Sequence, residues 1–165
     1  MITDWQKLVD ALRKEVEEYG GLLNLFDQQQ AALLRRDADT VLATVGAIEQ
    51  QIKTIDQCRN AREAVMRTYC HQLGVATDLP LRGLLEYFPP PVRPLVDALI
   101  EEVNSLIMRS KRRAQQNQML LARSIEVTQQ ILQRLNPSGV TKTYTAKGRV
   151  SVGITEGEPR CIAEG

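Results

Sequence analysis

The sequence predicts an all-α protein. The expected fold is an elongated antiparallel helical bundle, in which a long helical hairpin and one long C-terminal helix are joined by a short extra helix and followed by an irregular or weakly β tail. Three observations carry this. Apolar residues recur in steps of three and four from Trp5 to Leu135, the spacing of one helix face. Aromatics make up only 4% of the chain against 43% hydrophobic residues, which suits aliphatic helix seams better than a sheet. Beyond Gly139 the helical spacing gives way to alternation.

The first helix begins near Thr3, which with Gln6 has the spacing of a capping box. Trp5, Leu8, Val9, Leu12, Val16 and Tyr19 then form one stripe that continues through Leu22, Leu23, Phe26, Leu33 and Leu34. Gly20-Gly21 interrupts it and predicts a kink or a close helix crossing. The polar stretch Arg35-Arg36-Asp37-Ala38-Asp39-Thr40 turns the chain and offers aspartates as caps. From Val41 the apolar steps alternate four and three, as in a coiled-coil seam, through Val45, Ile48, Ile52 and Ile55 and on to Met66, Tyr69 and Leu73. A short connection of this kind predicts an antiparallel hairpin. Arg59 and Arg62 occupy seam positions, so they are expected to snorkel or to pair with Glu15, Glu17 or Glu18; an anionic ligand or partner is the alternative.

Gly74 is the natural left-handed stop for the second helix. Asp78 to Phe88 reads as a short helix with Pro80 in its first turn, a lid on the end of the hairpin. Pro89-Pro90-Pro91 separates it from the long helix, whose apolar residues run from Val92 through Ile107, weaken over 109–118, and resume from Met119 to Leu135. At ~1.5 Å per residue this helix spans about 65 Å and must bury its stripe against other elements. The first half is expected to be core and the second half working surface. Two domains follow: a helical bundle at 1–135 and a flexible tail at 136–165, after the stop at Asn136-Pro137-Ser138-Gly139. In the tail, Val, Thr, Tyr and Ile around Ala146-Lys147-Gly148 allow a hairpin, a frayed end, or a segment that orders on a partner.

The remaining composition narrows the chemistry. A net charge of +1, from 21 basic and 20 acidic residues, gives no global pull towards nucleic acid or an anionic membrane. The local patch Arg109, Lys111, Arg112 and Arg113 lacks stacking aromatics, so it reads as a solvated face meeting acidic residues of other helices, with RNA binding as the minor alternative. No apolar run reaches the ~18 residues of a membrane span and no signal core opens the chain, so it is expected in the cytoplasm, without membrane insertion. Cys58, Cys70 and Cys161 are an odd set at wide spacing, read as free thiols. Cys70 beside His71 reads as a small buried residue rather than a nucleophile with its base. No Glu-x-x-His pair, phosphate loop, dinucleotide fingerprint or nucleophile elbow is present. No enzyme, metal site or cofactor is therefore expected.

The order of elements resembles the FlgN family of flagellar type III export chaperones. The local matches are Leu73-Gly74 closing the second helix, Gln115-Gln116-Asn117-Gln118-Met119-Leu120-Leu121 followed by Ser124, and Thr143-Tyr144 with Gly148 in the tail. The resemblance implies a cytoplasmic, non-enzymatic chaperone for bacterial flagellum assembly. Such a chaperone binds hook-filament junction (hook-associated) proteins of the FlgK and FlgL type, prevents their premature assembly, and presents them to components of the export apparatus. The expected partner-binding residues are Ile125, Ile131, Leu132 and Leu135 on the long helix, with Val140, Tyr144, Val150 and Val152 in the tail closing over a client helix. A structural coiled-coil protein that self-associates through the 41–73 seam is the alternative, and the oligomeric state expected for the chaperone is a monomer or weak homodimer.

Overall fold

The computed structural model describes residues 4–135, 140–144 and 150–154. In order, the elements are α1 (Asp4–Arg35), α2 (Ala38–Leu73), a 3-10 helix (Leu81–Tyr87), α3 (Arg93–Leu135), β1 (Val140–Tyr144) and β2 (Val150–Ile154). The fold is the helical bundle that the spacing predicts. The expected Thr3 cap, the stop at 136–139, the turn at 146–148 and Cys161 lie outside the described residues. The chain divides into two compact units, Met1–Gln118 and Met119–Gly165, so α3 contributes its first part to one and its last part to the other.

Within the first unit, α1 and α2 are joined by a two-residue turn. Asp37 N–H donates to Ala32 O (3.0 Å) and Arg36 N–H to Leu33 O (3.1 Å), the paired bonds of a Schellman stop. The next residue begins α2: the Asp37 carboxylate accepts from the Thr40 hydroxyl (2.6 Å) and the Thr40 amide (3.1 Å). Those two bonds, the hydroxyl's first, hold the Asp37 carboxyl below the usual carboxylate range. α2 ends as expected at Gly74, with φ of 68°. There Val75 N–H reaches Cys70 O (3.1 Å) and Gly74 N–H reaches His71 O (3.2 Å), a second Schellman stop.

α1 remains continuous through the paired glycines, and of the two only Gly21 lies against the other helix, where it meets the Gln51 side chain. A Cβ at Gly21 would lie 3.3 Å from Gln51 Nε2, which donates across the hairpin to Glu18 O (3.0 Å) and Glu18 Oε2 (2.6 Å). Arg62 meets the expected acid: its Nε lies 2.7 Å from Glu15 Oε1, and Glu15 is only 2% exposed. Arg59 instead pairs with Asp56 on its own helix, 2.9 Å away at the surface.

The main core gathers Leu8, Val9 and Leu12 from α1, Tyr69 and Cys70 from α2, Leu84 and Phe88 from the connection, and Val96, Ile100 and Val103 from α3. Cys70 is fully buried here and is a packing residue. The short helix over 81–87 is 3-10 rather than α, with extended Pro80 before it and extended Phe88 after it. Seven residues is a long run for this tighter helix, which starts directly after Pro80 and ends before Pro89. Phe88 packs edge-on against Tyr69, ring centroids 5.6 Å apart, and the Tyr69 hydroxyl donates to Tyr87 O at 2.9 Å. Burial raises the pKa of that phenol, which keeps it a donor. Arg93 closes the corner by donating to Phe88 O (2.9 Å) and Glu86 O (2.8 Å).

Further along, α3 meets α1 through polar groups. The buried Asn117 amide donates to Phe26 O and Gln29 Oε1, both at 2.9 Å, and Arg113 Nε pairs with Asp27 at 2.8 Å. Arg113 thus meets an acid of another helix as expected, while Arg109, Lys111 and Arg112 are exposed. In the second unit β1 and β2 pair antiparallel, with Val140 opposite Ile154, Lys142 opposite Val152 and Tyr144 opposite Val150.

Arg36 adopts φ of 58°, a left-handed conformation that crowds a Cβ. Replacing Arg36 by Gly should raise unfolding free energy by about 0.5–1 kcal/mol, the Cβ relief exceeding the added freedom of the unfolded chain. Urea denaturation checks this; unchanged or lower stability would show that the turn carries no such strain.

Candidate partner-binding surface

The last seventeen residues of α3 keep helical apolar spacing but do not bury it. Among residues 119–135 only Gln129 is buried, and its side-chain Nε2 has no hydrogen-bond partner. Ile125 is 42% exposed, Ile131 52%, Leu132 45% and Leu135 76%, so the four helical residues expected to bind a partner all present their side chains. Leu121 is exposed as well and extends the surface towards the N-terminus of this stretch, whereas Met119, also exposed, lies on the opposite side of the helix. Their place in the resumed apolar spacing was the available signal.

At ~100° per residue, Leu121, Ile125, Ile131, Leu132 and Leu135 fall within an arc of about 120°. Arg123, Glu126 and Arg134 take the opposite side of the helix. The stretch is thus amphipathic, with an uncovered apolar face. Ser124 and Thr128 share this arc, and a helix surface with five exposed leucines and isoleucines on one side is of the kind that marks an interaction site.

The expected tail residues lie on the strands. Cross-strand partners, and residues two apart, share one face of a hairpin. The register therefore gives Val140, Tyr144, Val150 and Val152 positions on the same face, shared with Lys142 and Ile154 and alternating with Thr141, Thr143, Ser151 and Gly153.

In the first unit a cleft of about 360 Å³ is lined by all three helices and the connection before α3. Sequence reasoning did not anticipate it, although Arg59 and Arg62 in the α2 seam marked the spot. Among the described residues no group of three or more His, Cys, Asp or Glu side chains could hold a metal ion, and no helix is long and apolar enough to cross a membrane. Cys58 is partly covered, and burial pushes its thiol pKa up, against the reactivity of a nucleophile. What the second unit offers is a surface for contact.

Residues 1–151 match the family described as FlgN protein, a match that runs through α1, α2, α3 and β1 and stops inside β2. The chain belongs to the FlgN family. Searches of curated proteins and of solved structures returned no match. FlgN proteins are flagellar export chaperones, a chaperone family rather than an enzyme family, and bind hook-associated proteins as a group.

Replacing Ile125 and Ile131 together by Ser should lower binding of a hydrophobic dye such as ANS to the native protein. Each exposed site should change unfolding free energy by no more than about 0.5 kcal/mol. Loss of the fold on making the pair, seen by circular dichroism, would mean that these side chains serve packing.

Proposed function

We propose that this FlgN-family chain is a cytoplasmic export chaperone that holds hook-filament junction proteins of the FlgK and FlgL type and delivers them to the flagellar export apparatus. The observation that carries this reading is the uncovered apolar face of α3 between Leu121 and Leu135. Junction proteins use terminal helical segments in assembly, and before assembly such segments expose amphipathic faces prone to premature pairing. A helix laid along α3 shields both faces at once, each leucine-sized side chain withdrawn from water contributing about 1.5–3 kcal/mol before ordering costs. The same-face strand positions of Val140, Tyr144, Val150 and Val152 supply a second side to that groove. Because the contacts are aliphatic and carry few fixed polar partners, the client can be released without breaking a buried charge network.

Self-association is the second reading. It is favoured by Leu42, Val45 and Ile52 of α2, which are exposed, with Val45 and Ile52 one heptad apart. Light scattering separates the readings: the chaperone reading expects monomer or weak dimer that a client segment converts to a defined complex.

Calorimetry with the C-terminal helical segment of a junction protein tests the proposal. The full chain should bind, a truncation after Leu135 should bind about tenfold more weakly, and Ile125→Ser/Ile131→Ser should abolish measurable binding. Unchanged affinity in the folded truncation would remove the strands from the site. Unchanged affinity in the double variant would overturn the α3 surface.

A further inference from the structure

Gln129 is covered by something other than its own helix. It is only 5% exposed, while Ile125, Glu126, Leu132 and Gln133, the residues one turn before and after it, are all exposed. Those i±3 and i±4 neighbours are the ones with which a helix can cover a side chain, so a segment beyond the helix lies over this position. Leu132 carries the same mark: it is 45% exposed, against 68% and 70% for Leu34 and Leu42 at the surface of the first unit. At ~100° per residue Gln129 stands about 40° from Ile125, on the edge of the apolar arc. The cover is thus drawn part-way across the face proposed to hold a client.

This cover leaves one polar group unserved. The Gln129 amide nitrogen is buried with no hydrogen-bond partner, and an unmet donor disfavours the covered state relative to one in which water or another acceptor reaches it.

The paired strands are placed to supply the cover. They belong to the same compact unit as residues 119–135. The four residues between Leu135 and Val140 let the chain reach no more than about 18 Å even when extended, which keeps the strands beside the end of α3 at high effective concentration. Two strands alone are marginal in water, and the register collects Val140, Tyr144, Val150, Val152 and Ile154 on one face that needs a partner. Strands of this length run roughly 15 Å, against about 21 Å of helix from Leu121 to Leu135.

We infer that β1 and β2 form a strap that closes over the client face of the empty chaperone. Their apolar face rests on α3 between Leu121 and Leu135, and a client must lift the strap before it takes that face. The unmet Gln129 amide keeps the strap poised to open, because lifting it lets that donor find an acceptor. What the strap guards rests on reading α3 as the client surface; the closure itself does not.

Thiol labelling of the full chain, with no client present, tests this. Cys58→Ser and Cys161→Ser remove background thiols, and Cys70 stays in the core. A single Leu132→Cys thiol should then react with a maleimide at least about fivefold more slowly than a Met119→Cys thiol on the opposite side of the helix. Truncation after Leu135, and Val150→Ser/Val152→Ser in the full chain, should each bring the two rates together. Gln129→Met, which keeps the size of the side chain without the donor, should slow the Leu132→Cys thiol about fivefold further. Equal rates at the two positions in the full chain, or an unchanged Leu132→Cys rate in the folded strand variant, would overturn the inference. Protection that grows with protein concentration would overturn it too, by assigning the cover to a second copy. Because no client enters the experiment, the strap can fail while junction-protein binding stands, and the reverse.

Discussion

Everything in the first unit converges on one apolar knot. Phe88 and Leu84, on the connection between α2 and α3, sit with Leu8 and Leu12 of α1, Tyr69 and Cys70 of α2 and Val96 of α3. The knot is where four segments of distant sequence are held together, and the polar bonds around it serve the same corner. Tyr69 reaches Tyr87 O, and Arg93 takes two carbonyls of the connection. A helix pair alone would bury only a stripe; the connection turns the stripe into an enclosed core in which leucine-sized side chains each contribute about 1.5–3 kcal/mol.

Away from the knot the packing thins and becomes polar. Nearer the hairpin turn the buried apolar cluster is reduced to Leu22, Ile48 and Ile55, and α3 faces α1 with Ser110 and Asn117 instead of Val96 and Val103. The Ser110 hydroxyl and the Asn117 side-chain carbonyl are buried without a hydrogen-bond partner, a cost that a purely structural seam would avoid. Asn117 still fixes register by donating to Phe26 O and Gln29. A seam of this composition specifies alignment more than it adds stability. Opening should therefore be easier here than at the knot.

Much of this was legible in the residues. Gly74 announced its stop, the aspartates of 37–39 announced a cap without deciding between them, and Arg62 in an apolar seam announced snorkelling or an acid among Glu15, Glu17 and Glu18, of which the packing selects Glu15. Arg36 gave no warning of its left-handed backbone, since arginine does not favour that conformation and the turn geometry imposes it. The 3-10 form of 81–87 was equally hidden, because leucines after a proline at the start suit either helix. For the candidate surface, the spacing of 119–135 is the same kind of signal as that of 92–107. Periodicity shows that a helix has an apolar face; it does not show whether another helix covers it. The cleft was less legible still, because Leu12, Arg59, Arg82 and Asn104 come from four separate segments, and only the packing of the knot sets them around one space.

On the proposed reading the labour divides in physical terms: the second unit offers an aliphatic, weakly polar surface to a client helix, and the first unit supplies the packed core around Phe88 and Leu84. Hydrogen–deuterium exchange on the full chain, with and without the terminal helical segment of a junction protein, tests this most directly. The account predicts added protection of backbone amides in residues 119–135 and in β1 and β2, with the amides around Leu8, Tyr69 and Val96 unchanged. Protection confined to α1 and α2, with none on the last part of α3, would contradict it.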